Sequence, residues 1–318
     1  MEMMNIYVDG KYSKEATNDL FDIEASQNSK LKRVKNPSNC EIYIAFDKID
    51  KKVLKNFIKK KVFKVLVRNE PLIVIPQNYK AQNTKLFDLV IDIGKQHNSK
   101  NIVLNWPQDL STFHFNPTNR LGRMVVINSN LLSLKLGENY SLRRRAIKNI
   151  KELDLYGYQW NNSFKTKIGV ILKEFRKSIF SLNSFYLNGL KYYMSNFENY
   201  LGPVSNKKAT LAKYKYSLII ENSSDYVSEK LFDSLTAGCI PLYVGPRLTK
   251  FAIPTHLVFQ AEPNLDSIKR QIMEAHKVDY QIWLDKLQAW LTDSKTQKSW
   301  SNIYFSKKLE DLILKHYQ

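Results

Sequence analysis

Between positions 221 and 230 stand five side chains able to handle a polar, charged ligand: Glu221, Asn222, Tyr226, Glu229 and Lys230. Lys230 is the most informative. It falls in the first turn of a predicted helix that opens on Ser228 as N-cap and stops at Gly238. The helix macrodipole disfavours a cation at that end and favours an anion. A lysine there, with the free backbone N–H groups of the first turn, suits a shared anion such as a phosphate. The alternative is a lysine paired with Glu229 or with a carboxylate of the preceding loop.

These side chains need elements to hold them. Residues 216–220 are aromatic and β-branched and read as a buried strand. Residues 221–225 are turn formers. The helix would bury Leu231, Phe232 and Leu235 on one face, and 240–244 reads as a second strand with Pro241 near its start. Strand, loop, helix and strand in that order make a unit of a parallel α/β sheet, where ligands collect at the carboxyl ends of the strands.

The string resembles the signature of the α-1,3/α-1,4-fucosyltransferases, glycosyltransferase family 10. Its parts are here Tyr214-Lys215-Tyr216, Glu221-Asn222-Ser223, Tyr226-Val227-Ser228-Glu229-Lys230-Leu231, Ala237-Gly238 and Pro241-Leu242-Tyr243-Val244-Gly245, in the family's order and spacing. One departure is Ser228, where the family usually has threonine. Looser matches lie upstream: the turn Asn69-Glu70-Pro71, Phe87-Asp88, Ser129-Asn130 after a strand, an arginine within Ser141 to Arg145, and Tyr156-Gly157 followed by Trp160. The likeness is tight over residues 200–260 and loose over 60–160.

The resemblance implies a GT-B-like α/β fold, two Rossmann-like domains facing across a cleft, with C-terminal helices. It implies an inverting single displacement from GDP-β-L-fucose to a hydroxyl of an oligosaccharide or glycolipid acceptor. Arg143 and Lys230 would hold the diphosphate. Arginine engages two phosphate oxygens at once and lysine supplies a compact charge, and both count most as the sugar–phosphate bond breaks. Arg145 is the alternative to Arg143, and a plain solvated basic face is the alternative for Arg143, Arg144 and Arg145 together. Glu229 would hold ribose hydroxyls, since a carboxylate accepts two such hydrogen bonds. Asn222 and Tyr226 match family positions near the nucleotide and phosphates, with turn formation and packing as their respective plainer roles, and Glu221, Ser129 and Asn130 carry over as further donor-site residues. Glu70, in a turn after an early strand, would be the general base; an ion pair with Arg68 is its alternative. No cofactor or metal is expected: the sequence has no Asp-x-Asp and no His-Glu-x-x-His, and its five histidines are scattered.

A chain of 318 residues exceeds one ordinary domain, and the expected division is 1–115 for the acceptor, 116–278 for the GDP-sugar and 279–318 for closing helices. The start, MEMMNIYVDG, has neither the basic nor the apolar region of a secretory signal, and no apolar run approaches a membrane span. Only Cys40 and Cys239 are present, without a CxxC, which fits a reducing compartment. A cytoplasmic protein is therefore expected, and within the family it resembles, the chain looks like the soluble bacterial members. Lys and Arg number 49 against 30 acids, a formal charge of +19. Such a field attracts polyanions, but no nucleic-acid-binding motif accompanies it. The expected partners are the nucleotide-sugar and an anionic membrane surface. The final helix, with Ile303, Tyr304, Leu309, Leu312 and Ile313, is the candidate for loose contact with that surface. Competing readings are a transferase for another GDP-sugar and a non-catalytic basic protein that binds glycans or polyanions.

Along the chain, strands are predicted at 6–8, 41–46, 62–67, 89–93 and 102–104, with a helix at 49–60. A proline-bearing connection at 107–122 precedes a second series: a strand at 124–127, a basic helix at 142–153 and a strand at 154–157. Residues 161–206 read as a helical insertion. After the central unit come a strand at 257–259 and helices at 265–276, 280–291 and 299–316.

Overall fold

The computed structural model describes residues 3–10, 29–47, 49–57, 61–72, 74–94, 100–111, 113, 115, 119–135, 137–177, 184–224 and 226–317. The chain forms two compact units, one of Met1–Ser111 with Thr292–Gln318 and one of Thr112–Leu291.

The first unit contains β1 (Met4–Gly10), β2 (Leu31–Arg33), β3 (Ile42–Phe46), α1 (Lys51–Phe57), β4 (Phe63–Arg68), α2 (Ala81–Thr84), β5 (Leu89–Ile93) and β6 (Ile102–Leu104). All pairings in its six-stranded sheet are parallel, in the order β2-β1-β3-β4-β5-β6. A parallel sheet covered on both faces needs apolar residues on both. β3 meets that demand with the run IYIAF, buried throughout. Ile42, Ile44 and Phe46 face one core, while Tyr43 and Ala45 face another with Leu54, Phe57 and Phe87.

The second unit runs β7 (Leu121–Ile127), α3 (Tyr140–Asn149), β8 (Leu153–Tyr156), α4 (Phe164–Lys177), α5 (Ser184–Met194), α6 (Lys207–Leu211), β9 (Tyr214–Ile220), α7 (Glu229–Thr236), β10 (Ile240–Val244), β11 (Phe259–Gln260), α8 (Leu265–His276) and α9 (Tyr280–Thr292). Its five-stranded sheet is also parallel, ordered β11-β10-β9-β7-β8. The chain steps outward from β7 to β8, then crosses to β9 on the other side of β7 and continues to β10. The loops leaving β7 and β9 therefore part at a topological switch point, the usual ligand position in an open parallel sheet.

After α9 the chain returns to the first unit as α10 (Ser294–Trp300) and α11 (Asn302–Tyr317). The closing helices are thus shared between the units, where a separate 279–318 segment was expected. Predicted helix 299–316 is also two helices. Ser301 is extended at φ −69, ψ 146, because it bridges Gln108, whose amide donates to the Trp300 carbonyl and whose carbonyl accepts from Asn302. Basic helix 142–153 ends early at Asn149, since Leu153 is needed opposite Met124 in the β7–β8 ladder. Three positions of helix 49–60, residues 58–60, lie outside the described residues.

The apolar face of α11 does not look outward. Phe305, Leu309 and Ile313 are buried in the first unit's core against Ile6, Ile44 and Val65, with Leu312 packed beside them. Only Ile303 and Tyr304 of the expected membrane face are exposed. The insertion at 161–206 contains α4 and α5, which pack Val170, Ile171, Phe175 and Leu190 on Leu132, Leu134 and Tyr193. Among the described residues no helix is long and apolar enough to cross a membrane.

Candidate functional site

The site grows from the carboxyl end of β9. The Glu221 amide donates to the Val244 carbonyl at 2.8 Å, carrying the β9–β10 pairing one residue further. Its side chain turns inward and is fully buried. There the carboxylate accepts from the Ser228 amide at 2.9 Å and the Ser228 hydroxyl at 2.7 Å, and it lies 3.4 Å from Lys230 Nζ. Ser228 Oγ in turn accepts from the Lys230 amide at 3.3 Å and from Lys230 Nζ at 3.0 Å. A buried carboxylate thus ties the loop to the first turn of α7 and holds the lysine at the helix N-terminus. The loop carboxylate left open as a partner of Lys230 is Glu221. Beneath it, burial and then the Glu221 charge push the Tyr243 phenol well above its ordinary pKa.

From the β7 side comes Arg143. Its guanidinium is buried over the Tyr140 ring, 5.3 Å from the centroid, and donates to the Ile220 carbonyl and, at 3.0 Å, to Asn222 Oδ1. Asn222 Nδ2 donates onward to the Tyr226 hydroxyl at 3.4 Å. The Asn139 amide donates to the Asn222 carbonyl at 3.2 Å. Arg143, Asn222 and Tyr226 therefore meet at the switch point. Burial pushes the Arg143 guanidinium below its ordinary pKa, opposed by Tyr140, Glu221 and Tyr226. Arg144 is buried as well, donating to the Leu131 carbonyl at 2.6 Å, and burial lowers its pKa to about 10. Arg145 alone of the three faces solvent. The solvated basic face that the sequence left open does not form, because Arg143 and Arg144 are spent on loop carbonyls.

Several buried polar atoms near this point have no hydrogen-bond partner among the described residues: Asn130 Nδ2 and Oδ1, Asn139 Nδ2 and Arg143 Nε. Asn139 was not singled out from the sequence, where an asparagine before a helix reads as an N-cap; its side chain makes no cap hydrogen bond. Ser129 is half-buried beside Asn130. Glu229 is partly exposed at the start of α7, 3.8 Å from Lys207 Nζ and 4.0 Å from Lys230 Nζ. Desolvation pushes its carboxyl up, but Lys230, Lys207 and hydrogen bonds from its own amide and Ser228 hold it below the ordinary value.

Glu70 belongs to the first unit, directly after β4. Its turn is fixed by Asp47, which follows β3 with a left-handed φ of 58°. Asp47 Oδ1 accepts from the Asn69 amide at 2.8 Å and the Glu70 amide at 2.9 Å, and the Tyr79 hydroxyl donates to the Glu70 carbonyl at 2.8 Å. The neighbouring Arg68 is buried and paired with Asp92, its Nε donating at 2.6 Å, and its guanidinium lies over the Tyr79 ring at 4.3 Å. An Arg68–Asp92 pair stands where the sequence allowed an Arg68–Glu70 pair.

No family model matches the chain. A fucosyltransferase-like protein of Arabidopsis thaliana is 51% identical over 43 residues, which are 13% of this chain and 8% of that protein. Among solved structures, an α1,3-fucosyltransferase with GDP matches over 99% of this chain and 90% of its own, with a TM-score of 0.56 at 15% identity. Anabaena Alr3699/HepE with UDP and glucose matches over 98% of this chain and all of its own, with a TM-score of 0.59 at 10% identity. A glycosyltransferase of Rickettsia africae matches over 100% and 99%, with a TM-score of 0.58 at 9% identity. The fold is that of the GT-B glycosyltransferases: two parallel α/β sheets with flanking helices.

Proposed function

We propose that this chain is a glycosyltransferase of the family 10 fucosyltransferase type. It would transfer L-fucose from GDP-β-L-fucose, with inversion and without a metal, to a hydroxyl of an oligosaccharide or glycolipid acceptor. The observation that carries the reading is the meeting of Arg143, Asn222 and Tyr226 beside the Glu221–Ser228–Lys230 network at the carboxyl end of β9. A diphosphate at the start of α7 would find the Lys230 cation and the helix dipole together, and these gain strength as negative charge develops on the leaving GDP. Asn130 and the Nδ2 of Asn139 offer buried amide atoms with no partner among the described residues. Glu229, a carboxylate on the rim of the same helix end, suits ribose hydroxyls. Arg145 faces solvent and is the weaker choice for the diphosphate. Glu70 would accept the acceptor proton, its turn held by Asp47. The basic excess suits an acceptor carried on an anionic membrane at the cytoplasmic face.

The test is titration calorimetry with GDP, GDP-fucose, GDP-mannose and UDP-glucose on the native chain and on Lys230→Ala. GDP species should bind, and the variant should bind at least about tenfold more weakly, as expected for a lost charge-assisted contact. Tighter binding of UDP-glucose would redirect the donor, a reading favoured by the fold shared with the UDP-bound HepE. Absence of nucleotide binding would leave the non-catalytic polyanion binder. In a transfer assay Glu70→Gln should lose about 10²- to 10⁴-fold in rate, the usual contribution of a general base, while still binding GDP.

A further inference from the structure

The second unit carries an apolar stripe that its core does not use. On α4, Phe164, Ile168 and Leu172 are 72%, 37% and 54% exposed. Residues four apart on a helix stack on one face, so the three form a single row. The helix already has a core: Val170, Ile171 and Phe175 are packed on Leu132, Leu134 and Tyr193, and Lys167 is buried with Nζ 3.3 Å from the Ser195 carbonyl. The row therefore widens the helix's apolar face beyond what the core covers, and that uncovered edge meets water.

The flank of that row is cationic. Lys165, Lys173 and Arg176 are exposed along it, and Glu174 is the one acid in the helix. An apolar row bordered by long cationic side chains is the pattern of a helix lying in a membrane interface, its rings and aliphatic groups below the headgroups and its Lys and Arg stems reaching up to anionic phosphates. A second protein fits less well. Three side chains in single file offer far less than the roughly 1,200–2,000 Å² of a stable interface, and two copies of a chain at +19 repel each other.

We infer that α4 is a membrane-docking helix that seats the protein on an anionic bilayer through Phe164, Ile168 and Leu172, with Lys165, Lys173 and Arg176 on the headgroups. This deepens the membrane-borne acceptor reading and assigns the contact to the insertion, since the face of α11 is occupied by the first unit's core.

The experiment is co-sedimentation of the full chain with phosphatidylcholine vesicles, with and without phosphatidylglycerol, at low and high salt. The native chain should sediment with the anionic vesicles and be released by salt. The variant Phe164→Gln/Ile168→Gln/Leu172→Gln, with unchanged melting temperature, should bind at least about tenfold more weakly, since each buried apolar side chain contributes to insertion. Phe164→Gln alone, at the most exposed position, gives the same reading if the triple variant does not fold. Ile303→Gln/Tyr304→Gln on α11 should bind like the native chain. The inference is overturned if the native chain ignores anionic vesicles at low salt, or if the α4 variants bind as well as it does. It is equally overturned if those variants instead abolish a concentration-dependent dimer. The assay reads lipid and not transfer, so its failure leaves the transferase reading standing.

Discussion

At the scale of single residues, the second unit's loops bury side-chain amides beside the candidate site. Among the described residues, Asn130 is almost wholly buried with both amide atoms unpartnered, and Asn139 has an unpartnered Nδ2. A buried unpaired polar group costs about 1–3 kcal/mol, so Asn130→Leu, which keeps the shape, should leave stability unchanged or raise it. If the amide serves a ligand, the same change should weaken GDP binding by about tenfold or more. Thermal melting with and without GDP reads both; a destabilised variant with native affinity would make Asn130 a packing residue. Cys239 poses a different question. Its thiol is fully buried among Val125, Leu211 and Tyr214, and burial raises its pKa from 9.0 to about 12. The folded state thus keeps a proton that the unfolded chain gives up, so stability is intact below the unfolded pKa and falls as pH rises above it. The slope is about 1.4 kcal/mol per pH unit for one such group. Urea unfolding across the pH range above 9.0 and below about 12 should show that loss in the native chain and a flatter dependence in Cys239→Ala. Equal slopes would mean that the thiol is not the group that titrates.

At the scale of elements, the Tyr156-Gly157-x-x-Trp160 segment turns out to hold two strand ends together. Gly157 has φ +132°, and a Cβ there would collide with the Asn128 carbonyl oxygen. Its amide donates to the Gly202 carbonyl at 2.9 Å, Trp160 Nε1 donates to the Asn128 carbonyl, and the Asn130 amide donates to the Tyr158 carbonyl at 2.9 Å. Gly157 is therefore where the ends of β7 and β8 touch, just below the loop that bears Asn130. Gly157→Ala meets both a backbone clash and a forbidden φ, and should cost about 3 kcal/mol or more. A drop in melting temperature of only a degree or two would refute that. The sequence showed this segment as a motif but not its purpose, because the glycine's partner lies in a different loop. Local patterns were legible: β9, the Ser228 cap and α7 follow from apolar spacing and cap chemistry and stand within a residue or two of expectation. Non-local facts were not. Glu221 reads as a loop carboxylate until Ser228, Lys230 and Tyr243 are seen around it. A charged face stayed open as the alternative for Arg143 and Arg144 because they donate to backbone carbonyls, which carry no sequence signal.

At the scale of the whole molecule, the division of the chain is not the division of its sequence. The first unit is completed from the far end of the chain: Phe305, Leu309 and Ile313 fill the face of its sheet, and the Lys30 amide and Ser29 hydroxyl donate to Glu310 at 2.7 and 3.1 Å. Periodicity announced an amphipathic helix there but could not say whether its apolar face met water, lipid or a sheet. The second unit is continuous from Thr112 to Leu291 and contains every candidate donor residue. A chain ending at Leu291 should keep the second unit and lose the first. It removes three buried side chains from one core, and such losses cost about 2–5 kcal/mol each, more than most domains can spare. Residues 112–291 expressed alone should fold cooperatively and retain GDP binding, whereas residues 1–291 should show a protease-sensitive first half around an intact second. Circular dichroism, limited proteolysis and calorimetry on the two fragments decide it. A first unit that stays protease-resistant without α10 and α11 would mean that the terminal helices cover its sheet without holding it together. Loss of GDP binding by a folded 112–291 fragment would mean that the donor site needs residues of the first unit.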